Sequence, residues 1–192
     1  MWHESLNSNV VNISNTHDRF TGIKLSLQGQ CILAISLYLP TSGKDDEFLD
    51  CLAELSIFIQ DNNSDVGTIL IGTDSNCSGK SSPRRLQAFQ QFCEEHHLLK
   101  VSHSGPTFHH HNGSSSSNID CFLILSNQDP KLTAVSIQCN QDNPQNLSSH
   151  DPVLTTLVLP SATEVCMQEK YSHMYTGFNQ AWVVWDKERV GD

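Results

Sequence analysis

Three short polar clusters interrupt the apolar runs of this chain: Thr73-Asp74-Ser75-Asn76 after Ile69-Leu70-Ile71, Asp120 directly after Ile119, and Ser149-His150-Asp151 directly before Pro152. An Asp and an Asn two residues apart on an extended segment point the same way. That pairing suits one group that accepts a proton and one that donates a hydrogen bond to an oxyanion. A histidine in such a site needs a carboxylate on its second ring nitrogen to fix its tautomer and raise its basicity, and Asp120 is the candidate. Each cluster alone also has a plainer reading, Asp-x-Asn as a turn or helix cap and His-Asp as a surface pair. His103 and the run His109-His110-His111 suggest a zinc site at first sight. Three consecutive histidines on an extended chain alternate in direction, however, and no Cys or acid stands at ligand spacing.

Each cluster lies at the end of a strand-like run, and strand ends gather distant residues at one rim. Phe20 to Pro40 reads as two β-rich runs separated by Gln28-Gly29-Gln30, an antiparallel hairpin. Cys31 to Leu39 is apolar on both faces, which predicts a central strand between two layers. In DDEFLDCLAELSIFIQDNN, Phe48, Leu52, Leu55 and Ile59 recur at helical spacing behind Asp45, Asp46 and Glu47, acids that favour a helix N-terminus. Gly67 to Gly72 predicts a short buried strand, and Ser82-Pro83 opens a second helix expected to turn Leu86, Phe89 and Cys93 inward. Strands follow at Ile119 to Leu125, Leu132 to Gln138 and Pro152 to Leu159, with His109 to Ser117 read as a loop. Hairpins mixed with helical crossovers predict a layered α/β sandwich.

With 192 residues, 38% hydrophobic and 17% charged, the chain has the material for one folded domain of typical size and is too apolar for a solvating acidic tail. Eleven basic and 21 acidic residues give a net charge of −10, so any polyanion must be held by a local site and not by a general field. Seven cysteines, odd in number, spread out and without a C-x-x-C pair, read as reduced thiols. The first residues resemble no signal peptide and no apolar run reaches membrane-spanning length, so an intracellular protein without a membrane partner is expected, and Asn12-Ile13-Ser14 and Asn112-Gly113-Ser114 are read as polar turns.

Taken in order, SLYLPT, ILIGTDSN, GPTFHHHNGSSSSNIDCFLI and NLSSHDPVL resemble the motifs of the endonuclease/exonuclease/phosphatase superfamily, which has the deoxyribonuclease I-like fold. They are most similar to the apurinic-like endonuclease domain of non-LTR (LINE-type) retrotransposon polyproteins, where a P-T-F-x-x-x-x-G-x-S-x-S-x-I-D run is characteristic. The resemblance implies a four-layer α/β/β/α sandwich over residues 1–160. It also implies that 161–192, whose WVVWDKER resembles the segment leading to the reverse transcriptase, is a linker in which Trp182 and Trp185 dock on that next domain.

The family reaction is hydrolysis of a DNA phosphodiester with Mg²⁺ or Mn²⁺. Carried over by position, Tyr38 contacts the scissile phosphate, Thr107 helps place it, Asp74 activates the attacking water and Asn76 orients that water or stabilises charge. Asp120 pairs with His150, which stabilises the transition state. Two departures stand beside these matches. The family's N-terminal strands with a catalytic Asn and a metal-binding Glu find no counterpart, and Ser149 stands where the family usually has Asp before the His. Asp151, on the other side of His150, is expected to face away. These departures leave Asp74 as the remaining metal ligand of an incomplete site. They predict a retrotransposon endonuclease remnant, inactive or severely impaired, with weak DNA binding and with self-association through an uncovered strand edge. The alternatives are a non-catalytic phosphate-binding module and a half-domain completed by another polypeptide.

Overall fold

A computed structural model of the chain describes residues 4–13, 17–27, 29–102, 104–125, 133–139 and 148–158; His103 and the predicted linker 161–192 lie outside them. After a 3₁₀ turn at Glu4–Asn9 come β1 (Val10–Asn12), β2 (Phe20–Leu27) and β3 (Gln30–Tyr38). β2 and β3 form the expected hairpin, in register from Phe20↔Leu37 to Leu27↔Gln30. It closes at Gly29, whose φ of +77° is open to glycine at little steric cost.

α1 (Asp45–Asn62) crosses over to β4 (Thr68–Asp74), which runs parallel to β3 and two residues further than the sequence pattern suggested. α1 buries Phe48, Leu52, Leu55 and Ile59, the predicted stripe. α2 (Pro83–Glu95) leads to β5 (Leu98–Ser102), followed by the small hairpin of β6 (Phe108–His109) and β7 (Ser116–Ser117) and by β8 (Asp120–Leu125). β9 (Thr133–Cys139) and β10 (Val153–Val158) pair antiparallel as a second sheet.

The main sheet has the order β1-β2-β3-β4-β8-β5, and its central strands β3, β4 and β8 are apolar on both faces because both are covered. Leu33, Ile35, Leu37, Ile69, Ile71 and Leu123 face α1 and α2 together with Phe48, Leu55 and Ile59. The alternate residues Leu25, Ile32, Leu70, Phe122 and Ile124 form a second cluster on the other face, against which Val153 of the β9–β10 sheet packs. Each of these fully buried side chains contributes about 1.5–3 kcal/mol. Helices, main sheet and small sheet make three layers of the deoxyribonuclease I-like sandwich; no member of a second helical layer lies among the described residues. None of the described helices is long and apolar enough to cross a membrane.

Three local expectations need correction. On α2 the buried stripe is Arg85, Phe89 and Phe92, while Leu86 is exposed and Cys93 half-buried. The register shifts by one residue because Arg85 finds partners for its whole guanidinium inside the fold, as described below. β5 is a strand the sequence did not announce, its Leu-Leu-Lys-Val-Ser showing no strong alternation. The segment from His109 to Ser117, expected as a loop, is a hairpin in register Phe108↔Ser117. All six described cysteines are free thiols, with Cys51, Cys77 and Cys121 buried.

Candidate active site

The sheet register lays a row of polar residues across three adjacent strand ends: Tyr38 of β3 pairs with Asp74 of β4, and Asp74 with Asp120 of β8. Residues directly opposite each other on neighbouring strands share a face, so the row brings together positions up to 82 residues apart. His150 reaches it through an isolated bridge to Phe108, just before β10 begins, and its ring lies 4.8 Å from that of Phe108.

His150 is held between two carboxylates. Its Nδ1–H donates to Asp120, 3.1 Å from Oδ1 and 3.0 Å from Oδ2, which fixes the tautomer and directs Nε2 to the other side. There Asp74 Oδ2 lies 3.8 Å away. Asp74 is 4% exposed, and the three side chains form a compact group with potential ligand atoms within 4.8 Å of one another. Asp120 is oriented in turn by Thr107, whose hydroxyl donates to Oδ2 at 2.7 Å and accepts the backbone N–H groups of Ile119 and Asp120.

Thr107 was expected at the substrate phosphate, but it is fully buried and its hydroxyl serves three partners in the protein. Its hydroxyl is engaged with Asp120. Asp74 and Asn76 are not two residues of an extended segment either. Asn76 turns back in the left-handed region at φ +43°, its backbone N–H donating to Asp74 Oδ1 at 3.1 Å, a tight Asx turn. Its side-chain Nδ2 donates to Leu39 O at 2.8 Å and ties the loop after β4 to the loop after β3. Tyr38 stands in register beside Asp74 with the Arg19 guanidinium 5.5 Å from its ring centre.

The sequence profile of the endonuclease-reverse transcriptase family matches residues 32–154, from β3 into β10 and across every residue of this site. The chain belongs to that family. Solved structures carry the same fold at low identity. The endonuclease domain of TRAS1, a telomere-specific non-LTR retrotransposon, aligns at 14% identity and TM-score 0.58 over 82% of this chain and 72% of its own. An AP endonuclease from Archaeoglobus fulgidus aligns at 16% and 0.57 over 79% of this chain and 70% of its own. The 3′ phosphatase NExo from Neisseria, solved bound to a product DNA hairpin, aligns at 16% and 0.57 over 76% and 68%. No curated protein sequence matches the chain.

In this member of the endonuclease-reverse transcriptase family Asp74, Asp120 and His150 together could hold a divalent ion. Mg²⁺ is commonly held through one or two carboxylates, with waters and substrate phosphates completing the octahedron. Asp74 and Asp120 would supply those carboxylates here, Asp120 while also accepting from His150 and Thr107. Ser149 adds no further acid.

Asp151, flanking His150, does not make up the deficit. It accepts a hydrogen bond from His109 Nε2 at 2.8 Å. This contact also separates His109 from any metal cluster with His110 and His111; His110 Nδ1 is taken by Asn112. Sequence reasoning missed Arg85. A charged residue within a helical stripe gives no pattern signal, although its i, i+4 spacing to Phe89 was there to be read.

Proposed function

We propose that this chain carries the His–Asp pair of a DNA phosphodiester-cleaving centre of the retrotransposon endonuclease type, and that its own residues leave turnover severely impaired. The observation that supports the reading is the row Tyr38–Asp74–Asp120 closed by His150, with one imidazole nitrogen fixed on Asp120 and the other turned toward Asp74. In this arrangement Asp74 takes the proton of the attacking water as its oxygen bonds to phosphorus and the P–O bond to the leaving 3′ oxygen breaks, that oxygen taking a proton from solvent. His150, as the imidazolium, donates from Nε2 to the phosphoryl oxygens as their charge develops. Asp120 and Thr107 keep the imidazole in place. The impairment rests on Ser149, which supplies no carboxylate where the family's motif usually has one, and on Asp151 facing His109 instead. Loss of one preorganised electrostatic contact costs roughly 10²- to 10³-fold in rate.

The test is nicking of supercoiled plasmid in Mg²⁺ or Mn²⁺. The chain itself gives no measurable nicking, and Ser149→Asp alone does not restore it. A fusion to a family N-terminal segment bearing the Asn and Glu motifs gives weak activity. Adding Ser149→Asp raises that activity, and His150→Ala or Asp74→Ala abolishes it. Nicking by the unmodified chain that survives His150→Ala and Asp74→Ala would place the chemistry elsewhere.

A further inference from the structure

Arg85 is 1% exposed, on a helix of which the site uses no residue, and its guanidinium makes four hydrogen bonds. Its Nη1 donates to Pro40 O at 2.6 Å and to Asn76 O at 3.2 Å, its Nη2 to Thr41 O at 2.8 Å and its Nε to Asp45 Oδ1 at 3.1 Å. The Phe48 ring covers the guanidinium at 4.2 Å. The three carbonyls belong to the two loops that follow Tyr38 and Asp74.

From these contacts we infer that Arg85 is a positioning residue of the site, which clamps the loop after β3 to the loop after β4 and thereby sets the Asp74–Asn76 turn. Asn76 occupies the left-handed region, which asparagine tolerates as a single residue, and its hydrogen bonds fix which way it turns. Arg85 grips the carbonyl of Asn76, while the side chain of Asn76 grips Leu39 O one residue before Pro40. The backbone N–H of the same residue holds Asp74 Oδ1. Slack at Arg85 is thus transmitted through Asn76 to the carboxylate that faces His150.

Simple helix anchoring explains this less well. The ion pair of buried Arg85 with the partly exposed Asp45 contributes little net stability once the desolvation of the guanidinium is counted, and an apolar residue would anchor α2 as firmly. Lysine cannot substitute, because one ammonium does not span three carbonyls and a carboxylate in the plane of a guanidinium fork.

The inference rests on reading Asp74 as the carboxylate of the site, so the test reads the turn itself and requires no activity. In the full 192-residue chain, NMR hydrogen exchange and side-chain amide resonances of Asn76 are compared among wild type, Arg85→Lys, Arg85→Met and Phe92→Leu. Phe92→Leu loosens α2 about two turns beyond Arg85 and leaves the guanidinium contacts in place. Both Arg85 variants are expected to speed exchange of the Asn76 and Leu39 amides at least tenfold relative to β2 amides, and to move the Asn76 Nδ2 protons to solvent-like positions. Phe92→Leu should lower Tm and leave both signatures in place. Asn76 and Leu39 unchanged in Arg85→Lys, or changed equally in Phe92→Leu at matched stability, would overturn the inference. Failure of Arg85→Lys to fold would do so as well, since Arg85 would then be a residue of the fold. Absence of DNA cleavage would leave it untouched.

Discussion

Replacing Thr107 with Val keeps the shape of a fully buried side chain and deletes one oxygen with three hydrogen-bond partners. The bond to Asp120 Oδ2 is charge-assisted and worth about 1.5–3 kcal/mol. The N–H groups of Ile119 and Asp120 lose the acceptor they share at 3.2 and 3.1 Å, and a buried donor left unmet costs about 1–3 kcal/mol. Because Asp120 retains 18% exposure and water can partly take over there, the lower half of the range for one bond and one unmet donor applies, about 2.5–4 kcal/mol. For a chain of this length each kcal/mol lowers Tm by about 2–4 °C, so Thr107→Val should lose roughly 5–16 °C. Thr107→Ser keeps the oxygen, gives up one methyl worth about 0.8 kcal/mol, and should stay within a few degrees of wild type. Thermal unfolding followed by circular dichroism measures both, and the His150 Nδ1 proton resonance reports whether the imidazole is still held. A Val variant as stable as the Ser variant, with that resonance intact, would refute the role of Thr107 as the anchor of Asp120.

Other outcomes follow from the same contacts. Hydrogen bonds from Ser82 and then Arg85 hold the Asp45 carboxyl below its usual 3.8. Its contribution is therefore present above that pH and lost as pH falls through the lower folded value. Urea unfolding should show Asp45→Asn less stable than wild type at pH 7, with the gap closing in acid; a gap independent of pH would contradict the pairing. Burial pushes the Cys121 thiol up to about 12 and those of Cys51 and Cys93 to about 11, so mass spectrometry should find all three alkylated slowly at pH 8 until urea unfolds the chain. Rapid native labelling of Cys121 would mean that β8 is not covered on both faces. β5 is an outer strand of the main sheet with Leu99 59% exposed, and Leu99→Lys should reduce any concentration-dependent association seen by sedimentation. Association unaffected by the change would assign it to another surface.

The sequence made the central strands legible because β3, β4 and β8 are apolar on both faces, and α1 because Phe48, Leu52, Leu55 and Ile59 keep helical spacing. It named Asp74, Asp120 and His150 through motif order, but it could not show how their neighbours are spent. In one dimension Thr107 looks like a contact for a phosphate and Asn76 like a group that orients water or stabilises charge. In three, the hydroxyl of one is consumed by Asp120, and the other closes a turn and a loop tie. Arg85 was invisible for the opposite reason: hydrophobic patterning assigns a charged residue to solvent, and only the arrival of Pro40, Thr41 and Asn76 carbonyls around one point allows it inside. The edge strand β5 has too weak an alternation to declare itself and is recruited by pairing with β8.

The most direct test of the account is where DNA touches the chain. A short DNA duplex titrated into isotopically labelled protein at low salt should move the ring resonances of His150 and Tyr38 and the amides around Asp74 and Asn76. The effect should weaken steeply as salt rises, as counterion release demands. Perturbations confined to the outer faces of α1 and α2, or to no described residue at any salt, would contradict a phosphate-handling rim at Tyr38, Asp74, Asp120 and His150.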